Sequence, residues 1–88
     1  MEKMKIYFSD NSSVIVSHGD YITPIIWNNT PDREPFYSMD ATIYLEFHIH
    51  NGLIPSFIEA LHDCDYFYLN GNQDIAYAKS AIVKLEIM

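Results

Sequence analysis

The sequence predicts an α+β domain in which a curved, mainly antiparallel β-sheet of about five to seven strands packs against one short helix. Several segments alternate between apolar and polar residues with the period of two that is typical of a strand. Turn residues such as Asn70-Gly71 separate these segments, and one segment alone has helical spacing. With 88 residues, the chain is long enough for one domain, which we assign to residues 1–88.

The first predicted element is a hairpin over residues 4–17. Met4, Ile6 and Phe8 alternate with polar residues and form one face of its first strand. A polar turn and a β-branched strand over Ser13–Ser17 complete it.

Tyr21–Trp27 has the composition of a third strand. Pro24 has no amide hydrogen for a strand ladder, so we expect an edge strand here or two shorter pieces. The longest irregular segment, residues 28–38, follows with two prolines and three charged residues, and predicts an exposed loop.

Residues 41–50 alternate almost without error and predict a central strand. Its odd-numbered residues are apolar and are expected to face the core: Ala41, Ile43, Leu45, Phe47 and Ile49. Its even-numbered residues are polar or amphipathic and are expected to face outward: Thr42, Tyr44, Glu46, His48 and His50.

A helix is predicted over residues 53–64. Ser56 and Glu59 have capping-box spacing, and Pro55 precedes them where a helix start tolerates proline. The predicted buried stripe consists of Phe57, Ile58, Leu61 and Cys64.

The last third of the chain predicts three strands. Residues 65–69 and 75–78 flank Asn70-Gly71 and form a hairpin, and Lys79-Ser80 marks a bulge or corner. In the final strand, residues 81–87, we expect Val83, Leu85 and Ile87 to face inward.

The charge of the chain is strongly acidic. Twelve acids and five bases give a net charge of −7, and between Ile6 and Ala78 ten acids oppose only Arg33, which gives −9. Such a field repels phosphate backbones and disfavours direct nucleic-acid binding. It either attracts a protein with a basic surface or serves only to keep an aromatic-rich chain in solution.

The remaining composition bounds the class of protein. One cysteine, Cys64, excludes an internal disulfide, and no apolar run approaches the roughly 20 residues of a membrane span. We therefore expect a cytoplasmic protein.

The candidate partner-binding residues are aromatic and acidic side chains in and near the 28–38 loop and after the helix. Aromatic residues bracket the loop and resemble interface anchors if they are exposed, although they equally suit closure of the core beneath it. The set consists of Trp27, Asp32, Glu34, Phe36, Tyr37, Asp63 and Asp65.

A metal site is geometrically allowed on the even face of residues 41–50. Glu46, His48 and His50 follow one another at alternate positions, and two such imidazoles can converge on one ion. The His-x-His pair is similar to part of the cupin metal motif, but the glutamate that cupins carry a few residues later is missing. No other cofactor is expected.

The sequence does not favour an enzyme. A Cys64 thiolate between Asp63 and Asp65 is destabilised, and no nucleophile elbow or phosphate-binding glycine loop is present.

The chain, which opens with Met-Lys-Ile-Tyr-Phe and closes with Lys-Ser-Ala-Ile-Val-Lys-Leu-Glu-Ile, resembles small acidic proteins of phages and prophages. These include inhibitors of host nucleic-acid enzymes and anti-CRISPR proteins. The resemblance implies a non-enzymatic module that occupies a basic protein surface. A self-associating structural subunit and a small metal-binding domain are the alternatives.

Overall fold

The computed structural model describes residues 3–46 and 52–88. These residues form one α-helix, α1 (Leu53–Ala60), a 3₁₀ turn at Lys79–Ala81 and eight strands. The strands are β1 (Lys3–Phe8), β2 (Ser13–Ser17), β3 (Tyr21–Asn28), β4 (Phe36–Met39), β5 (Ile43–Tyr44), β6 (Tyr66–Leu69), β7 (Asn72–Ala78) and β8 (Ile82–Ile87).

The strands form two antiparallel sheets that share one core. Sheet A has the order β2-β1-β8, and sheet B has the order β4-β3-β6-β7, with β5 also paired to β3. The 3₁₀ turn carries the chain from β7 in sheet B to β8 in sheet A, so the predicted corner at Lys79-Ser80 is confirmed. The predicted α+β class, mostly curved antiparallel sheet with one short helix, is also confirmed.

The core lies between the sheets and against α1. Phe57 of the helix packs edge-on against Phe67 of β6, with ring centroids 5.8 Å apart. Tyr77 of β7 stacks between Phe67 and Phe8 of β1 and so links the two sheets. Each fully buried side chain of this size contributes on the order of 1.5–3 kcal/mol. The buried apolar residues are Met4, Ile6, Phe8, Val16, Ile22, Leu45, Leu53, Phe57, Ala60, Leu61, Cys64, Phe67 and Leu69.

Both predicted hairpins are confirmed. In the first, β1 pairs antiparallel with β2, and Met4, Ile6 and Phe8 are buried as their alternation predicts. In the second, Asn70 (φ 50°) and Gly71 (φ 75°) join β6 to β7. Two successive positive φ angles are what a type I′ turn requires. A Cβ on Gly71 would also lie 2.7 Å from the hydroxyl oxygen of Tyr21, so a side chain there meets both strain and a neighbour.

The expectation that Pro24 lies in an edge strand or splits the strand is wrong. β3 runs unbroken through Pro24 and has neighbours on both edges. β4 pairs with residues 25–28 and β5 with residues 21–22 on the same edge, which leaves a gap opposite Pro24. The carbonyl of Pro24 accepts a bond from the amide of Asp40 in this gap (2.8 Å). In a strand, the N–H and the carbonyl of one residue lie on the same edge. The N–H that Pro24 lacks would therefore face this gap, where no strand needs it as a donor.

The predicted central strand over residues 41–50 is wrong for the part that the structure describes. Only Ile43–Tyr44 is a strand, because β4 occupies the rest of that edge of β3. Leu45 is fully buried, but Ala41 and Ile43 are exposed and do not form the expected core face. Residues 47–50 lie outside the described residues.

The predicted start of the helix is also wrong. The N-cap is Gly52, and Ser56 lies inside α1, where its Oγ accepts a bond from the amide of Glu46 (3.2 Å). Pro55 is tolerated because the first turn of a helix leaves its N–H groups without intrahelical partners. Ile58 is 58% exposed, although Phe57, Leu61 and Cys64 are buried as predicted.

Val83 does not face inward. Tyr7 pairs with Lys84 and Phe8 with Ile82, so Val83 is an extra residue in a bulge of β8 and is 65% exposed. Beyond the bulge, Leu85 lies opposite the buried Ile6, and Ile87 lies opposite Met4.

Candidate partner-binding face

The outer side of sheet B carries a row of aromatic residues from three strands. Trp27 of β3 lies directly opposite Tyr37 of β4. Tyr66 of β6 lies opposite Ile25, which is two residues before Trp27 and therefore on the same side of β3. We call the surface formed by Trp27, Tyr37, Tyr66 and Asp65 the aromatic face.

The rings of the aromatic face contact one another and remain accessible. Trp27 and Tyr37 are 4.8 Å apart between centroids at an angle of 60°, and Tyr37 and Tyr66 are 6.5 Å apart at 84°. Trp27 and Tyr37 are each 50% exposed, and Tyr66 is 43% exposed. The contacts fix the rings without covering them, so the face is preorganised and half of its aromatic surface is in water.

Asp65 supplies a carboxylate beside the rings. Its Oδ2 accepts a bond of 3.4 Å from the hydroxyl of Tyr37. Loss of solvent around Tyr37 raises the pKa of its hydroxyl, and the negative charge of Asp65 raises it further. At neutral pH the Tyr37 hydroxyl is therefore protonated and donates to the carboxylate of Asp65.

A groove of about 450 Å³ opens beside Tyr37 and Tyr66. It contains one cation, Lys79, whose Nζ donates to the carbonyl oxygen of His62 (3.3 Å). Its other lining residues include Cys64, Asp65 and Ser80. Burial raises the pKa of the Cys64 thiol, as does the charge of Asp65, while Lys79 lowers it. Cys64 is a neutral core residue at the edge of the groove, consistent with the prediction from its acidic neighbours.

The structure separates Phe36 from the other predicted anchors. Phe36 precedes Tyr37 in β4, so its side chain points to the opposite side of sheet B and is half-buried. The guanidinium of Arg33 lies 4.3 Å from its ring centroid. The predicted irregular segment is shorter than expected, because β3 extends to Asn28 and β4 begins at Phe36.

The predicted acidic residues fall in three places. Asp32 and Glu34 are exposed in the connection between β3 and β4. Asp63 is exposed after α1, and its carboxylate lies 2.8 Å from Nδ1 of His62. Among these four acidic residues, all within the described part of the chain, Asp65 is the one that accepts a hydrogen bond from a predicted aromatic anchor, Tyr37.

The predicted metal ligands are only partly described. Glu46 is exposed, whereas His48 and His50 lie outside the described residues. Within residues 3–46 and 52–88, no three His, Cys, Asp or Glu side chains are grouped so that they could hold a metal ion.

Sequence reasoning left Tyr66 and Met39 out of the candidate site. Met39 lies opposite Ile25 and is 52% exposed, so it extends the apolar outer side of sheet B. The available signal was alternation: Tyr66 and Tyr68 alternate with the buried Phe67 and Leu69 in β6.

Comparison with protein-family models, curated proteins and solved structures finds no match for this chain. In the part of the chain that the structure describes, no helix is long and apolar enough to span a membrane.

Proposed function

We propose that this protein is a non-enzymatic interaction module that binds a protein with a basic surface through its aromatic face. The observation that carries the proposal is the half-exposed, mutually supported group of Trp27, Tyr37 and Tyr66. Tryptophan and tyrosine dominate the binding energy of many interfaces, and their rigid rings lose little entropy on binding.

The net negative charge of the chain supports a basic protein as the partner. Between Ile6 and Ala78, ten acids against Arg33 leave a balance of −9, and Asp65 places one of these charges within the aromatic face. A negative field favours encounter with a positively charged surface and opposes encounter with phosphate backbones. An inhibitor of phage type, acting in the host cytoplasm on a protein that handles nucleic acid or serves in defence, fits this chemistry.

The test is capture of a partner from host lysate at low and at high salt. We expect the wild-type protein to retain a basic protein at low salt and to lose it as salt rises, because screening weakens the attraction between exposed charges. Trp27→Ala should abolish capture. Ile15→Ala is the matched control, since Ile15 is as exposed as Trp27 but lies on sheet A.

The result that contradicts the proposal is retention of no basic partner at either salt. Equal loss of capture in Trp27→Ala and Ile15→Ala would also contradict it, because the aromatic face would then have no special part. Circular dichroism of both variants shows whether each remains folded.

Self-association is a second candidate, favoured by the contrast between the outer sides of the two sheets. The outer side of sheet A carries Lys3, Lys5 and Lys84 against Glu86, a balance of +2 from three bases and one acid. This side of one copy complements the aromatic face of another. Light scattering over a range of concentrations tests it, and a strict monomer rules it out.

A further inference from the structure

We propose that the aromatic face recognises an arginine side chain of the partner, whose guanidinium lies against the rings of Tyr37 and Tyr66 and pairs with the carboxylate of Asp65. This inference rests on the proposed function and names the chemical group that the aromatic face binds. Three features of the molecule support it.

The first feature is the arrangement of the rings. Tyr37 and Tyr66 meet in an edge-to-face contact at 84°, and both remain about half exposed, so part of each ring stays open to a ligand beside the groove. The face of an aromatic ring is electron-rich and attracts a cation placed over it. The adjoining groove of about 450 Å³ is large enough for an arginine side chain.

The second feature is the distribution of the chain's own cations. In the described part of the chain, the cation–ring contacts are those of Lys5 and Lys84 with Tyr7 and of Arg33 with Phe36. The rings of the aromatic face receive no such contact from the described residues. On sheet A, one half-buried tyrosine ring, that of Tyr7, has two lysines beside it, so the aromatic face lacks a group that a comparable ring in the same fold receives.

The third feature is Asp65. Its one side-chain bond in the described structure is the 3.4 Å bond from Tyr37, which is long for an O–H donor. Most of its acceptor capacity therefore remains available. A guanidinium is planar and can stack on a ring while two of its N–H groups bond a carboxylate, whereas an ammonium cannot do both.

Lys79 is a positive charge in the groove, and its removal should have the opposite effect on arginine binding from the removal of the Asp65 charge. Its ammonium lines the same groove and is held by the carbonyl of His62. A fixed positive charge there repels an incoming guanidinium. Lys79→Gln should therefore strengthen arginine binding, while Asp65→Asn should weaken it.

The experiment uses the full chain and three blocked tripeptides, Gly-X-Gly, in which X is arginine, lysine or citrulline. Citrulline has the shape of arginine without its charge. Binding is followed by backbone amide chemical shifts and by the fluorescence of Trp27, the single tryptophan of the chain. We expect saturable shifts at Tyr37, Asp65 and Tyr66 with the arginine peptide, weaker binding of the lysine peptide and none of the citrulline peptide.

Variants complete the test. Asp65→Asn should weaken arginine binding about fivefold or more, since it removes a charge-assisted bidentate pair. Asp74→Asn is the matched control, because it makes the same change in net charge at an exposed residue of β7 outside the aromatic face and should leave the affinity nearly unchanged. Lys79→Gln should tighten binding about twofold.

Equal binding of the citrulline and arginine peptides would overturn the inference. So would equal effects of Asp74→Asn and Asp65→Asn, or weaker binding by Lys79→Gln. If Trp27→Ala abolishes partner capture while the arginine peptide shows no preference, the proposed function stands and this inference fails. If no basic partner is captured at all, the proposed function fails first.

Discussion

The outer sides of the two sheets differ in whether a described cation of the chain contacts the accessible tyrosine ring. Each carries a tyrosine whose hydroxyl bonds a carboxylate: Tyr7 bonds Glu86 on sheet A (2.8 Å), and Tyr37 bonds Asp65 on sheet B (3.4 Å). On sheet A, two lysines of the chain itself lie near the Tyr7 ring, with Nζ 5.1 Å and 4.3 Å from its centroid. On sheet B, no cation of the described residues lies over the tyrosine rings.

The contacts of Tyr7 stabilise sheet A, whereas the rings of the aromatic face have no cation contact from the described residues. The cation–ring and hydrogen-bond partners of Tyr7 come from β1 and β8, so its contacts hold sheet A together. The partners of Tyr37 are other half-exposed rings and one carboxylate. Because its rings have no cation contact from the described residues, the aromatic face is the surface that we propose binds an external partner.

The largest expected effect is that of Trp27→Ala on binding. Once a partner is purified, we expect its affinity to fall about thirtyfold, which corresponds to about 2 kcal/mol for an aromatic anchor at the centre of an interface. Ile15→Ala should change the affinity less than twofold. Isothermal titration calorimetry measures both, and similar losses in the two variants would erase the distinction between the sheets.

Tyr7→Ala should lower the stability of the fold without changing the affinity for the partner. It removes the ring that joins Lys5, Lys84 and Glu86, so we expect the Tm to fall by about 5 °C with partner affinity unchanged. Thermal unfolding followed by circular dichroism gives the Tm. A loss of affinity without a change in Tm would show that sheet A, too, is a binding surface.

The two tyrosines should also differ in how they respond to loss of their carboxylate. The hydrogen bond that the Tyr7 hydroxyl donates to Glu86 is the main cause of the raised pKa of Tyr7, whereas loss of solvent is the main cause at Tyr37. Glu86→Gln should therefore lower the pKa of Tyr7 by more than Asp65→Asn lowers the pKa of Tyr37. Ultraviolet titration of tyrosinate, with ring assignments by NMR, measures both.

The sign of the pH dependence follows from these directions. Both hydroxyls have a higher pKa in the folded than in the unfolded chain, so their contribution to stability is complete below pH 10.0 and is lost as the pH rises through the folded pKa. Glu86→Gln should remove more of this alkaline sensitivity than Asp65→Asn. The opposite order in urea unfolding at alkaline pH would contradict the assigned causes.

The smallest expected effect concerns the turn of the first hairpin. Bonds from the hydroxyl and amide of Ser12 lower the pKa of Asp10 below 3.8, so this carboxylate stabilises the turn above that pH and ceases to do so as the pH falls through its folded pKa. The Asn70-Gly71 turn of sheet B has no carboxylate in its two central positions. Protection factors from hydrogen exchange should fall at low pH in the first turn but not in the second, and Asp10→Asn should remove the difference.

Local sequence signals predicted the elements whose structure depends on neighbouring residues. The polar turn after Phe8 and the Asn70-Gly71 pair each specify a hairpin, because the turn geometry itself brings the flanking strands together. The burial of Met4, Ile6 and Phe8 follows from their alternation alone. These inferences required no knowledge of distant strands.

Three of the errors, at Pro24, Val83 and Ser56, have a long-range cause. Pro24 lies in a central strand because β4 and β5 leave a gap opposite it, and Val83 is exposed because a bulge shifts β8 against β1. Ser56 has capping-box spacing but accepts the amide of Glu46 instead. In each case a contact with a residue in another element overrides a correct local preference.

In the candidate site, too, some features follow from local sequence and others from contacts between distant strands. Alternation and composition by themselves predicted the α+β class and the two hairpins, and they selected Trp27 and Tyr37 as candidate anchors. Only the tertiary structure decided that Tyr66, 29 positions after Tyr37, lies beside it and that Phe36 points away. The physical reason is that the period of a strand sets which side of its own chain a residue occupies, whereas the order of the strands in a sheet sets its neighbours.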